Sequence, residues 1–530
     1  MENIFMGRSL CVIEDLSIGE RKYLFSQVKK LKQAILEQNT KTVDSYRINN
    51  QDFGIYEVFL ENSTRTKESF RNAAKFHKIK LTEMSSDSSS FNKGESYSDT
   101  FNTLSGYNNT IFIIRSKIEG VCRWLSLECR EFSQRNNLEF APVFINAGDG
   151  KHEHPTQELL DEFTFLEDNK WSFESIHLAV VGDLFHGRTV HSKADGLKIF
   201  KKVKVDLIAP EVLQMPDSYY LRMIENGYEI RKFGSIEEYL KQKDIADKWY
   251  FTRPQLERMG ERILSRQEEL RSYITFRQEF MDKLKPETKF YHPLPRHKEH
   301  PVIPTFLDKT PYNAWERQSI NGMYTRIVLL GLLSGKIGED YKELEKNNIS
   351  NRTDEEYISS VDKATLNKKI KTVSEGVHPI KEGLVIDHIL KGEEPEEIRK
   401  HMRLICRVMK LDGLKGGEWV STSGEEYKGI IFRPSLVTFD RKQLKRLAAV
   451  APGCTLNIIK DGKVEEKFRT KLPPRIYNFD DLMCTNENCI SNESQSENVP
   501  AMFYRTLDDK YVCSYCGKVH TFKEIWKNNK

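Results

Sequence analysis

The sequence predicts an α/β fold class: two parallel-sheet α/β subdomains, then a small α+β domain and a zinc-ribbon-like domain. Three observations predict it. Short β-branched and aromatic runs alternate with helical stretches up to about Gly335. A charged tract without a sustained apolar face separates that part from a second set of strand-like runs. Four cysteines gather near the C-terminal end.

In chain order, the apolar run at 58–60 leads into a helical stretch at 67–76, and the run at 110–114 ends in Arg115. A helical pattern covers 159–165, and the strand-like run at 176–181 is followed by Gly182 and Asp183. Buried strands alternating with helices imply parallel sheets covered on both faces, with ligands at the carboxyl ends of the strands. Residues 335–375 are charged and poor in aromatics, which reads as a linker, partly helical at 341–345. Strand-like runs at 384–389 and 454–459, with a helix at 440–450, make the small α+β domain. Pro473 and Pro474 halt regular structure before the cysteine-rich tail. The expected domains are 1–150, completed by a helix at 306–335, then 151–305, a linker at 336–372, then 373–475 and 476–530.

Composition narrows the function classes. Of 530 residues, 38% are hydrophobic and 30% charged, enough for several cores and unlike a collagenous, disordered or disulfide-scaffold chain. The 82 basic and 78 acidic residues nearly cancel, so no nucleic-acid partner is expected. No apolar run approaches the roughly 18 residues that span a bilayer. The N-terminus lacks a basic region followed by an apolar core, so no secretory signal and no membrane partner are expected. Nine cysteines, an odd number, fit a reducing cytoplasmic setting.

Polar motifs fall where the strands should end. Ser63-Thr64-Arg65-Thr66 sits between a strand and a helix, either an anion site or a plain helix cap with an exposed arginine. The loop at 88–95 offers Ser89 and Lys93 as anion ligands, or is simply solvated. His154 and Gln157 could polarise a carbonyl and hold its nitrogen. His152 and His154 lack further ligands at metal-site spacing, so no catalytic metal is expected. Pro293 and Pro295 leave nearby carbonyl oxygens free of local N–H donors, as acceptors for an amide nitrogen. Arg65, Lys93, Arg115, Arg188 and Arg253 make five cations for a phosphate leaving group and a carboxylated acceptor. No phosphate-binding P-loop, nucleophile elbow or dinucleotide fingerprint is present. In the tail, Cys484-x4-Cys489 and Cys513-x2-Cys516 are separated by 23 residues. Two cysteine pairs of this spacing predict a closed structural zinc site.

Taken together, Ser63 to Thr66, Lys93-Gly94-Glu95, Arg115, His154-Pro155-Thr156-Gln157, Gly187-Arg188-Thr189, Thr252-Arg253-Pro254-Gln255 and His292-Pro293-Leu294-Pro295 resemble the catalytic chain of the aspartate carbamoyltransferase family. The likeness runs to about Gly335 and includes Asn321-Gly322-Met323. From about Val373 onward the chain resembles that family's regulatory chain, including Val385 to His388 and the four cysteines. The resemblance thus implies a catalytic–regulatory fusion that transfers a carbamoyl group from carbamoyl phosphate to L-aspartate, in pyrimidine biosynthesis. It implies that Ser63, Thr64, Arg65, Thr66 and Arg115 hold the phosphate, and that Thr66, Arg115 and His154 polarise the carbonyl. Gln157, Pro293 and Leu294, with Pro295 adjoining, would accept from the carbamoyl amide, and Arg188, Arg253 and Gln255 would clamp aspartate. Ser89 and Lys93 would enter from a neighbouring subunit, so a trimer or a dimer of trimers is expected. Ile380, Asp387, His388, Asn457 and Lys467 align with a nucleotide-effector site, although Phe432 stands where the family usually has a lysine. The rivals are an ornithine-type carbamoyltransferase and a catalytically inactive zinc-containing scaffold. Pro293-Leu294 in place of the cysteine that the ornithine type should carry, and Arg253, suited to a carboxylate, argue against the first.

Overall fold

The computed structural model describes residues 3–50, 53–85, 94–107, 109–138, 141–255, 266–342, 356–362, 380–434, 436 and 438–527. The chain divides into two compact units, Met1–Asn347 with Asn486–Val499, and Asn348–Thr485 with Pro500–Lys530.

The first unit holds two parallel sheets. Strands β1 (Gly54–Phe59), β2 (Lys80–Ser85), β3 (Asn109–Ser116) and β4 (Val143–Asp149) run in the order β2-β1-β3-β4. Strands β5 (Ser175–Gly182), β6 (Lys202–Ile208), β7 (Glu229–Phe233), β8 (Lys248–Thr252) and β9 (Lys289–Tyr291) run in the order β7-β6-β5-β8-β9. All pairings in both sheets are parallel. Every residue of β4 and β8 is buried, as expected of strands covered on both faces.

Helix Pro155–Asp168 carries a buried charge network. Lys193 pairs with Glu158 at 2.8 Å and Asp161 at 2.9 Å, and Arg21 pairs with Glu162 at 2.6 Å. Removing one member would leave a buried charge without its partner, which costs far more than an exposed pair contributes. Helix Trp315–Leu333 packs against helices Pro155–Asp168 and Thr64–His77, so a late segment closes the first half of the unit. No helix among the described residues is long and apolar enough to cross a membrane.

Segment Asn486–Val499 groups with this unit through Glu119. The Glu119 N–H donates to the Asn488 carbonyl at 2.7 Å, and the Ile490 N–H donates to the Glu119 carbonyl at 3.0 Å. Asn486 Nδ2 donates to Glu119 Oε2 at 2.7 Å, and the Tyr97 N–H donates to the Glu497 carboxylate.

In the second unit, strands β10 (Ile358–Ser360), β11 (Gly383–Ile389), β12 (Gly417–Ser423), β13 (Glu426–Pro434), β14 (Thr455–Lys460) and β15 (Lys463–Thr470) form an antiparallel sheet ordered β10-β15-β14-β11-β13-β12. Helices Pro395–Val408 and Arg441–Val450 accompany it. β10 corrects the expectation of a linker throughout 336–372. It is a largely exposed edge strand of three residues on β15, too short to show alternation in the sequence. Most of the helix expected at 341–345 lies outside the described residues. A last antiparallel sheet joins β16 (Arg475–Ile476), β17 (Phe503–Arg505), β18 (Tyr511–Cys513) and β19 (Val519–His520).

Candidate active site and metal centre

The parallel topology places six chain segments at one edge. β1 ends just before Ser63, β3 ends around Arg115, and β4 leads into His154. β5 precedes Arg188, β8 precedes Arg253, and β9 precedes Pro293. One cavity of about 400 Å³ is lined by Ser63, Thr64, Arg65, Thr66, Arg115, His154 and Gln157, and equally by Arg188, Arg253, Gln255, Pro293, Leu294 and Pro295. Ser89 and Lys93 lie outside the described residues.

Ser63 is the N-cap position of helix Thr64–His77, but its side chain caps nothing. The hydroxyl therefore remains available to the cavity, against the plain-cap reading. Arg115 and Arg188 approach each other over Gly148, whose φ is +111°. A Cβ there would lie 2.9 Å from Arg115 Nη1 and 3.1 Å from the Arg188 guanidinium, so only glycine lets both pass. Each arginine is pinned by a backbone carbonyl: Arg115 Nη1 donates to Ala147 at 3.0 Å, and Arg188 Nη1 to Gly150 at 3.1 Å.

Glu61 joins the two. Its Oε2 lies 3.2 Å from Arg115 Nη2 and 2.7 Å from Arg188 Nη2. The sequence reading missed this residue, because one acid after a strand carries no signal until arginines 54 and 127 positions away converge on it.

His154 is buried, with Nε2 3.4 Å from Thr66 Oγ1 and Nδ1 3.4 Å from Thr156 Oγ1. Burial, and then Arg115, Arg188 and Arg326, push its pKa well below the ordinary imidazole value. It is therefore neutral, able to donate one N–H. Its neighbour behaves oppositely. Burial opposes a charge on His152, but Asp149, Glu153 and Glu119 outweigh it and raise its pKa to about 9. Gln157 donates through Nε2 to Asp161 at 2.9 Å, which leaves its Oε1 as the acceptor. Gln255 is held by Asp183 at 2.9 Å and by the His186 carbonyl at 2.7 Å.

The loop after β9 includes a cis Leu294–Pro295 peptide, and the Leu294 N–H donates to His292 Nδ1 at 2.7 Å. Behind it, Arg326 is buried and bonds to Ser69 at 2.9 Å and Thr156 at 3.4 Å. Burial lowers its pKa to about 10.

In the second unit, Asn457 stands opposite Val385 and Lys467, and Phe432 opposite Val385. These four share one face of the sheet, together with Asp387 two residues along β11. Lys428, not anticipated, reaches Asp387 at 2.8 Å. His388 follows with φ +63°, and Ile380 is half-buried just before β11.

Cys484, Cys489, Cys513 and Cys516 are all buried, with sulfurs within 4.8 Å of one another. None of the four is in a disulfide. The Cys484 and Cys516 sulfurs are 3.6 Å apart. That is far longer than a disulfide and close to the about 3.8 Å edge of a tetrahedron with zinc–sulfur bonds of about 2.3 Å. His520 Nε2 lies 3.5 Å from Cys484 Sγ, a neighbour that cysteine spacing does not announce.

Comparisons with known proteins follow the same division. The model for the aspartate/ornithine carbamoyltransferase carbamoyl-P binding domain matches 8–167, and that for the Asp/Orn binding domain matches 174–333. Models for the aspartate carbamoyltransferase regulatory chain match 375–471 for its allosteric domain and 474–526 for its metal binding domain. Protein PyrBI of Treponema denticola is 66% identical over 534 residues, covering 100% of both chains. Protein PyrBI of Thermotoga maritima is 49% identical over 532 residues, covering 99% of this chain and 100% of its own. Among solved structures, aspartate transcarbamoylase from Trypanosoma cruzi in complex with N-(phosphonacetyl)-L-aspartic acid superposes with a TM-score of 0.52 at 27% identity, covering 62% of this chain and 97% of that one. The same enzyme with carbamoyl phosphate and aspartate gives 0.52 and 27%, covering 62% and 98%.

Proposed function

The chain belongs to the aspartate carbamoyltransferase family, with catalytic and regulatory parts in one polypeptide, and we propose that the cavity at the strand ends is where it transfers the carbamoyl group. One observation carries the assignment. Arg65, Arg115, Arg188 and Arg253 come from four separate strand ends to line a single cavity that also holds a neutral imidazole. Two anionic substrates need such a concentration of cations to lie side by side.

Ser63, Thr64, Arg65, Thr66 and Arg115 hold the phosphate of carbamoyl phosphate. Ser89 and Lys93 join it from an adjacent protomer of a trimer, or of a dimer of trimers. Arg188, Arg253 and Gln255 hold the carboxylates of L-aspartate. The carbonyls of Pro293 and Leu294, with Gln157 Oε1, accept from the carbamoyl NH₂. The free amine attacks the carbonyl carbon, and the electron pair moves to the oxygen. Thr66, Arg115 and the neutral His154 stabilise that oxyanion. As the C–O bond to phosphate breaks, phosphate leaves with the electron pair and takes a proton from the amine. The products are N-carbamoyl-L-aspartate and phosphate.

Zinc fits the four thiolates, as a structural metal that couples folding of the tail to metal binding. The row Val385, Asn457 and Lys467, with Asp387 and His388, supports a nucleotide effector site, whereas Phe432 in the same row, where the family usually has a lysine, argues against it. Buried cysteines without disulfides suit a cytoplasmic setting.

The test is a steady-state assay on the purified chain with carbamoyl phosphate, comparing aspartate with ornithine, with and without nucleotides. Aspartate should be the acceptor. Turnover of ornithine in its place, or none of either, overturns the assignment.

A further inference from the structure

A separate cavity of about 390 Å³ lies within the second unit, and none of Ile380, Asp387, His388, Asn457 or Lys467 lines it. One wall is a face of helix Pro395–Val408, and the other is the C-terminal stretch around Trp526. Its charge is lopsided: Lys400, Arg403, Arg407, Lys523 and Lys527 line it, against Glu397 as the carboxylate among the described lining residues. Most of that charge is already answered, and Lys527 too has a partner. Arg407 pairs with Asp481 and Lys523 with Glu393, each at 2.6 Å, and Lys400 pairs with Glu397 at 3.2 Å. The Arg403 guanidinium makes no ion pair among the described residues.

Cations alone on a helix face would be a solvated surface. The deeper wall distinguishes this one. His401 Nε2 lies 2.7 Å from the Val450 carbonyl, and burial lowers the ring's pKa to about 4, so it adds no charge. Trp526 is 3% exposed, and its indole Nε1 is buried with no acceptor among the described residues. A buried donor without an acceptor is unfavourable until one arrives. The Arg403 guanidinium and an unanswered N–H on the same cavity call for the same occupant, an oxygen-rich anion.

We infer that this cavity binds a small polyphosphate, free or carried on a nucleoside, between helix Pro395–Val408 and the Trp526 segment. Its volume suits a ligand of that size.

The experiment is calorimetric titration of the full chain with inorganic tripolyphosphate, adenosine triphosphate and adenosine, in parallel with tryptophan fluorescence. Tripolyphosphate should bind and perturb the fluorescence. The double variant K400E/R403E should weaken it at least about tenfold, and W526F should weaken it and abolish the fluorescence change. Adenosine should not bind. Adenosine triphosphate binding more tightly than tripolyphosphate, with the same loss in K400E/R403E, identifies the nucleoside-borne form, and weaker binding identifies the free form. The inference is overturned if tripolyphosphate does not bind at millimolar concentration, or binds K400E/R403E as well as the parent. Should W526F not fold, K400E/R403E decides alone.

Discussion

Gly148→Ala tests the convergence of Arg115 and Arg188 without touching either. The new Cβ would sit 2.9 Å from Arg115 Nη1 and 3.1 Å from the Arg188 guanidinium, where ordinary contact begins at 3.4 Å. Each guanidinium must retreat by about 0.3–0.5 Å to restore that contact. A misplacement of about 1 Å can cost about 10²-fold in rate, so each retreat accounts for up to about tenfold. With one arginine on the phosphate and the other on the acceptor, as proposed above, the losses compound to at most about 10²-fold in kcat/KM, or about 2.7 kcal/mol of transition-state stabilisation. The alanine also inherits a φ of +111°, a separate strain of about 1–3 kcal/mol. Strain lowers Tm by several degrees but leaves kcat/KM per folded molecule alone, so a melting curve beside the carbamoylation assay separates the two effects. A folded G148A protein within threefold of the parent's kcat/KM would refute the reasoning.

Three further outcomes are expected. By nuclear magnetic resonance the His154 ring should stay neutral from pH 8 to pH 5, because burial and three arginines oppose its protonation; a midpoint near 6.5 contradicts this. Since the folded pKa lies below the unfolded one, the unfolded chain binds the extra proton, so the site's contribution to stability is full above about pH 6.5 and is lost as pH falls. The purified chain should hold one zinc per chain by elemental analysis, and chelation should render 476–526 protease-sensitive; unchanged resistance after complete metal removal would sink the structural role. K93A and R65A should each be nearly inactive alone, yet verified mixed trimers should regain part of the activity, since one composite site keeps both residues; no recovery would mean that the sites are not shared.

How much of this was legible beforehand depends on range. The strand-end motifs could be read because each is a short local pattern, and parallel topology then delivers every strand end to one edge. The two cysteine pairs were readable for the same reason. Glu61, Arg326 and the Lys193–Glu158–Asp161 cluster were not, because each acquires meaning from a partner that only folding supplies. The same holds for Glu119, an unremarkable acid in sequence that pairs through its backbone with residues 488–490.

That pairing has a consequence for how the molecule responds to dilution. In an assembly of separate chains, such a contact would be governed by the concentration of the second component. Here the clasp on Glu119 belongs to the same polypeptide, and its rebinding is set by a tether whose effective local concentration does not fall when the solution is thinned. The clasp should survive nanomolar conditions and yield instead to a cut in the peptide between the strands Ile358–Ser360 and Gly383–Ile389.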